Sequence, residues 1–307
     1  MSLKSIKGKI RGVEKTRQVA KAMEAVSAVK MRKSQEQAIS LRPYTVLAMK
    51  ILKNISKNPE LKNHKYLKDS DANGVLYVVL TSDRGLAGTL NTSVIKAVQK
   101  DIAFKNLTND NVSFICIGKK GADFFSKNGF KIVKHFDEIS DQISIEDIKN
   151  VSKLILEMFN ENKIGTVNIA YENFASTFEQ KPTLHKLLPI DVVSVETIIK
   201  EIIPDKGKYS NLFRYDSEET QGLTIFEPSQ EEVLNNIVPY LINILIYHTN
   251  LEQKASEFSA RMVAMKSAGD KAVEVKKFLN RKFNKIRQSN ITREVSEIIG
   301  GIEALAK

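Results

Sequence analysis

The sequence has no tryptophan, a single cysteine, seven prolines, four histidines and fourteen glycines in 307 residues. One cysteine, Cys116, excludes an internal disulfide and most cysteine-based metal sites, and it fits a reducing compartment. His64, His135, His185 and His248 are scattered, with no His-x-x-x-His or Glu-x-x-His spacing, so a zinc site is not expected. No Gly-x-Ser-x-Gly elbow or other nucleophile–base signature is found. The start of the chain carries Lys4, Lys7, Lys9 and Arg11 instead of an apolar stretch, so no signal sequence is expected. The most apolar run, Ile237 to Tyr247, contains Pro239, Tyr240 and Asn243 and is too short to span a bilayer.

What is present is charge and periodicity. Lys and Arg exceed Asp and Glu to give a formal +11, which calls for an acidic partner such as a nucleic acid, an anionic membrane or an acidic protein surface. Residues 1–60 hold ten Lys, four Arg and four Glu, a net +10. Residues 271–293 carry five Lys and three Arg against Glu274 alone. Phe278 and Phe283, the aromatics there, lie near the apolar seam, which argues against stacking on single-stranded nucleic acid. A hydrophobic content of 42% is enough for a packed core.

The last eighty residues form the longest pattern. Pro228-Ser229-Gln230-Glu231-Glu232 reads as a helix start with acids at the positive end of the dipole. The apolar spacing then alternates between four and three through Phe258, Met262, Met265, Gly269, Ala272, Lys276, Leu279, Phe283 and Ile286, a coiled-coil seam broken once by Lys276. At about 1.5 Å per residue such a helix would run roughly 110 Å. Residues 1–57 read as its counterpart: Leu3, Ile6, Ile10 and Val13 keep the spacing, small residues from Ala20 to Ala28 permit close approach, and Pro43 should weaken or kink the helix.

Between the helices the texture changes. Val75–Leu80 and Val112–Ile117 are continuous apolar runs suited to strands buried on both faces. Helices are expected near 91–105, 121–128 and 145–162, and extended chain at 130–136, 166–172 and 176–189. Alternating strand and helix predicts a Rossmann-like, mainly parallel α/β domain over 75–190, inserted into a long antiparallel coiled coil of the N- and C-terminal helices, with a loop-rich connector at 191–227 and the second coil helix at 228–307. Ser82-Asp83-Arg84-Gly85-Leu86-Ala87-Gly88 and Gly118-Lys119-Lys120-Gly121 stand where α/β folds bind ligands. Both lack the three-glycine dinucleotide pattern and the Lys-Ser/Thr pair of a P-loop, so turn chemistry is the better reading and no cofactor is expected. Two other classes remain open on residues alone, a basic coiled-coil nucleic-acid binder and an α/β nucleotide enzyme.

Several stretches resemble one family in the right order along the whole chain. They are Thr16-Arg17-Gln18-Val19-Ala20-Lys21-Ala22-Met23-Glu24-Ala25-Val26 with Lys30-Met31-Arg32-Lys33; Ser82-Asp83-Arg84-Gly85-Leu86 with Gly88 and Asn91; Ser259-Ala260-Arg261-Met262-Val263-Ala264-Met265-Lys266; and Asn284-Lys285-Ile286-Arg287-Gln288 with Ile291-Thr292-Arg293-Glu294-Val295. Together they are similar to the γ subunit of F-type ATP synthases. The chain departs from the usual pattern at Ala87, where many members have cysteine, at Lys271 in place of Asn, and at Ile302 in place of a small residue. The resemblance implies a non-catalytic central rotor shaft, coupling rotation of the membrane c-ring to the catalytic β subunits. Its implied partners are the α and β subunits, ε and the c-ring, with no nucleic acid and no membrane span of its own, at the cytoplasmic face of a bacterial membrane. It also implies roles for particular residues. Met23, Arg261, Arg287, Gln288, Thr292 and Glu294 would contact β subunits, and Phe226 and Glu227 would form the foot on the c-ring. On the periodicity, Phe283, Ile286 and Ile291 are seam candidates, which leaves Arg287 and Gln288 facing outward.

Overall fold

The computed structural model describes residues 2–56, 58, 61, 63–68, 70, 72–137, 145–190 and 227–305. Two long helices, α1 (Leu3–Ser56) and α5 (Gln230–Leu305), flank an α/β region built of β1 (Val75–Leu80), α2 (Leu90–Phe104), β2 (Val112–Ile117), α3 (Lys119–Lys127), β3 (Lys131–Phe136), α4 (Ile145–Asn160), β4 (Thr166–Ser176) and β5 (Glu179–Leu188). The chain divides into two compact units, one of residues 1–27 and 261–307, the other of residues 28–260.

In the larger unit the sheet order is β3-β2-β1-β4-β5. The first four strands are mutually parallel, and β5 runs antiparallel to β4. This is the mainly parallel α/β sheet expected. The sequence reading differs in one respect: strand and extended segment at 166–189 are two arms of one hairpin, closed at the Ser176–Glu179 pair. Because side chains alternate, the continuous apolar runs of β1 and β2 feed two cores. Tyr77, Val79, Phe114 and Cys116 pack with Val94, Val98 and Phe125 of α2 and α3. Leu76, Val78, Leu80, Ile115 and Ile117 pack on the other face with α4 and with the long helices. To that second core α5 gives Leu234, Val238, Leu241, Ile242, Leu245 and Ile246, all buried. At about 1.5–3 kcal/mol per buried side chain, this one helix supplies on the order of 10 kcal/mol of gross stabilisation. The apolar run at Ile237–Tyr247 is therefore core, and among the described residues no helix is long and apolar enough to cross a membrane.

Within this unit α1 and α5 are antiparallel. The Lys30 ammonium sits 5.5 Å from the Phe258 ring centroid, and Asn58 donates to Gln230 Oε1 at 2.8 Å, so numbers rise on one helix as they fall on the other. Pro43 and Pro239 lie inside unbroken helices. The missing N–H of each leaves one carbonyl without its helical donor, and neighbouring turns carry the helix through. The start of α5 is set one residue later than Pro228 suggests: Ser229 is the cap, its Oγ accepting from Glu232 N at 3.2 Å, with Gln230 the first helical residue.

The carboxyl end of β4 has an unusual neighbour. β1 pairs with β4 only as far as Ala170 and then turns away. Past that point side chains on one face of α5 take the place of a strand. Gln253 Oε1 accepts from Glu172 N at 2.7 Å, Ser256 Oγ donates to Glu172 O at 2.9 Å, Glu252 Oε2 accepts from Phe174 N at 3.2 Å, and Ser259 Oγ donates to Thr177 O at 2.5 Å. Main-chain groups that a sheet edge would leave open are thereby satisfied by a helix.

Candidate partner interface

In the smaller unit the first turns of α1 and the second half of α5 share a narrow seam. Ile6, Ala20, Met265, Ala272 and Leu279 are buried, and Ile10, Val13, Met262, Phe283 and Ile286 are half-buried. Lys276, the charged interruption, is answered from the other helix: its ammonium lies 2.9 Å from Glu14 Oε2, while Arg17 Nη2 donates to Glu14 Oε1 at 2.7 Å. Hydrogen bonds from Arg17 and then Lys276 hold the Glu14 carboxyl down at about 2. Lys276 thus fixes register where an apolar residue would only add area.

Counting along both helices from the Glu14–Lys276 pair puts Leu3 opposite Arg287. Beyond Arg287, α5 has no α1 to pack on, and this corrects the expectation for Ile291. Asn290 continues the four–three spacing and is half-buried, whereas Ile291 is 52% exposed. Val295, Ile298, Ile299 and Ile302 are exposed as well, and with Ile291 they mark one helical face at spacings of four, three, one and three. The sequence reading did not single out this stripe. Its signal was the heptad phase, which drifts off these residues once the opposite helix ends.

The implied partner residues are placed as follows. Arg287, at the level of Leu3, and Gln288, Thr292 and Glu294, on the unpaired part of α5, are all exposed, Arg287 and Gln288 pointing away from the seam side of Phe283 and Ile286. Thr292 Oγ1 donates to Gln288 O at 3.0 Å, a bond internal to the helix. Met23 is half-buried on α1, and Arg261 is buried at the first turn of α5 in this unit. Glu227 is exposed just before the start of α5, and Phe226 lies outside the described residues, as does most of the 191–227 connector.

The loops at the carboxyl end of the sheet are occupied by each other. At the start of α3, Lys119 N donates to Asp83 Oδ1 at 2.9 Å, Lys120 N to Ser82 O at 3.1 Å and Gly121 N to Thr81 Oγ1 at 2.9 Å. These are the amides that would hold a phosphate in a nucleotide-binding fold, and each already has a protein acceptor. Gly118 makes the approach possible: its φ is +101°, and a Cβ there would stand 2.1 Å from Thr81 O. Asp83 is a structural acceptor in this turn.

A family model described as ATP synthase matches residues 2–305. The chain is 36% identical over 303 residues to the ATP synthase gamma chain of Heliobacterium modesticaldum, covering 99% of each. It is 35% identical to that of Polaromonas sp., covering 98% of this chain and 99% of the other. Its fold is similar to a chain of the OSCP/F1/c-ring assembly of the Euglena gracilis mitochondrial ATP synthase, with a TM-score of 0.64 at 19% identity over 99% of this chain and 94% of that one. A chain of the central stalk and c-ring of the Tetrahymena thermophila mitochondrial ATP synthase matches with a TM-score of 0.59 at 20% identity, over 81% and 99%. Taken with the seam and the order of motifs along the whole chain, these matches mean that the chain belongs to the ATP synthase gamma chain family.

Proposed function

We propose that this chain is the central rotor stalk of a proton- or sodium-translocating F-type ATP synthase, at the cytoplasmic face of a bacterial membrane. It does no chemistry itself; it couples rotation of the c-ring to the conformational cycle of the catalytic β subunits. The observation that carries the reading is the unpaired end of α5, where an apolar face is left without a partner beside a strongly basic segment. Such a face wants a socket that is apolar in part and acidic at its rim, as the collar of α and β subunits would provide.

The division of labour follows. Residues 1–57 and 228–307 are the coil, 75–190 the α/β domain on the side of ε and the c-ring, and 191–227 the connector. Arg287, Gln288, Thr292 and Glu294 engage one β subunit at a time, and Met23 and Arg261 meet acidic β loops. Phe226 and Glu227 belong to the foot. Charge-assisted bonds of about 1.5–3 kcal/mol each are weak enough to break in each step and strong enough to bias which β subunit is closed.

The test is reconstitution. The chain should co-purify with its α and β subunits, and their ATPase should depend on its presence. Changing Arg287→Ala with Gln288→Ala should slow ATP-driven turnover at least several-fold while leaving assembly intact. Failure to assemble with α and β, or full turnover in the assembled double variant, overturns the whole reading or the β contact respectively.

A further inference from the structure

Glu172 is a carboxylate buried almost completely at the junction of three elements: it lies on β4, its side chain reaches Ser93 of α2, and its main chain is held by Gln253 and Ser256 of α5. Its Oε1 meets Ser93 Oγ, and its Oε2 has no hydrogen-bond partner. Ser93 has one proton and three claims on it, because Leu90 O lies 2.7 Å and Thr89 O 3.2 Å from the same Oγ, with Leu90 O the closer of the two. Gln253 is divided in the same way. Its Oε1 holds Glu172 N, while its Nε2 is buried without a partner.

We propose that Glu172, Ser93 and Gln253 form a two-state proton switch that sets how firmly α5 grips the open edge of β4. In the neutral state Glu172 Oε1–H donates to Ser93 Oγ, and the Ser93 proton goes on to Leu90 O, so both bonds are made. In the ionised state the Ser93 proton must turn to Glu172 Oε1, and Leu90 O loses its donor. The carboxylate then has one donor where it can take several, and Gln253, already bonded to the main chain of the same residue, carries a buried Nε2 that is unused. Turning that amide toward the carboxylate releases Glu172 N. One proton moves between the carboxyl and solvent; the remaining changes are rotations of a hydroxyl and an amide.

Burial pushes the Glu172 carboxyl up from 4.5 to about 7, with the Ser93 hydrogen bond opposing. The surrounding elements carry other ionisable groups: Asp83 and Arg84 in the β1–α2 loop, Lys96 on α2, and Lys181 and Lys186 on β5. From α5 come His248, Glu252, Lys254 and Glu257. None of these pairs with the Glu172 carboxyl, and no neighbouring charge contributes to its shift. The folded form therefore keeps a proton that the unfolded chain gives up. The contribution of Glu172 to stability is full below about 4.5, declines as pH rises to about 7, and is flat above.

The switch is a property of the chain alone and does not depend on what it assembles with. The experiment uses the purified full chain. Infrared difference spectra should contain a protonated-carboxyl C=O band that persists well above the usual carboxylate range, titrates near neutrality and is absent from Glu172→Gln. The thermal midpoint of the wild type should fall relative to Glu172→Gln as pH rises from about 5 to about 8. Ser93→Ala, which keeps the carboxyl and removes the hydroxyl that both states use, should shift the band's midpoint, and it serves as the readout if Glu172→Gln does not fold. Parallel pH profiles for wild type and Glu172→Gln overturn the proposal, as does a band midpoint that Ser93→Ala leaves in place.

Discussion

Phe114 and Ile298 are both large apolar side chains, and the two units treat them in opposite ways. Phe114 is sealed between rings, 4.0 Å from the Phe125 centroid and 5.7 Å from that of Tyr77, with Phe130 edge-on at 5.2 Å. Ile298 stands 62% exposed on a bare helix. The sheet unit spreads its apolar residues over two faces of five strands and covers both. The coil unit has a seam one or two residues wide, and past Arg287 it has none. A sheet with helices on both faces closes its own core, whereas two helices cover only one stripe each and leave the remainder for something else to bury.

The contrast can be tested by where truncation hurts. Phe114→Ala should have the largest effect, about 3–5 kcal/mol of destabilisation, because the stacked rings leave a cavity that cannot collapse; chemical denaturation followed by the tyrosine signal would measure it. Leu279→Ala, at a buried seam position of the coil, should cost about 2 kcal/mol, since the half-open seam can close around the gap; helical circular dichroism on heating is the readout. A loss as large as that of Phe114→Ala would mean that the coil is packed like a core. Glu14→Gln should lower the coil's melting midpoint by less still, and only above the carboxylate range. The Glu14 carboxyl is held down in the fold, so its contribution is present above 4.5 and disappears as pH falls toward about 2, where wild type and variant should converge. Smallest of all, Ile298→Ser with Ile299→Ser should leave the midpoint of the isolated chain unchanged within about 0.5 kcal/mol, and should weaken binding to α and β subunits. A clear drop in the isolated chain would show that this face already has an internal partner.

Most of the fold was legible from local signals. Continuous apolar runs marked β1 and β2, and four–three spacing marked the seam through Ile286. The hairpin of β4 and β5 was less legible, because Asn173 to Phe178 contains no glycine or proline to announce a turn. Ile291 was misplaced because periodicity in one helix says nothing about where its partner stops; the end of α1 decides that, nearly three hundred residues away. The Glu14–Lys276 pair was invisible for the same reason. Lys276 looked like a flaw in one helix and is a contact between two. Glu172 gave no signal either, since an acid in Tyr-Glu-Asn-Phe reads as a strand surface residue until α5 is laid across it.

The four α5 side chains along β4 also matter for the order in which the protein comes into being. Synthesis runs from the N-terminus, so all five strands leave the ribosome before any residue of α5. For that interval the edge of β4 beyond Ala170 has free amides and carbonyls, and the sheet face destined for Leu241 and Leu245 is wet. A nascent chain in that condition is a template for strand pairing with its neighbours. The last helix to be made is thus the one that retires the hazard, and truncations that stop short of Ser259 should accumulate as aggregates even though every strand of the sheet is intact.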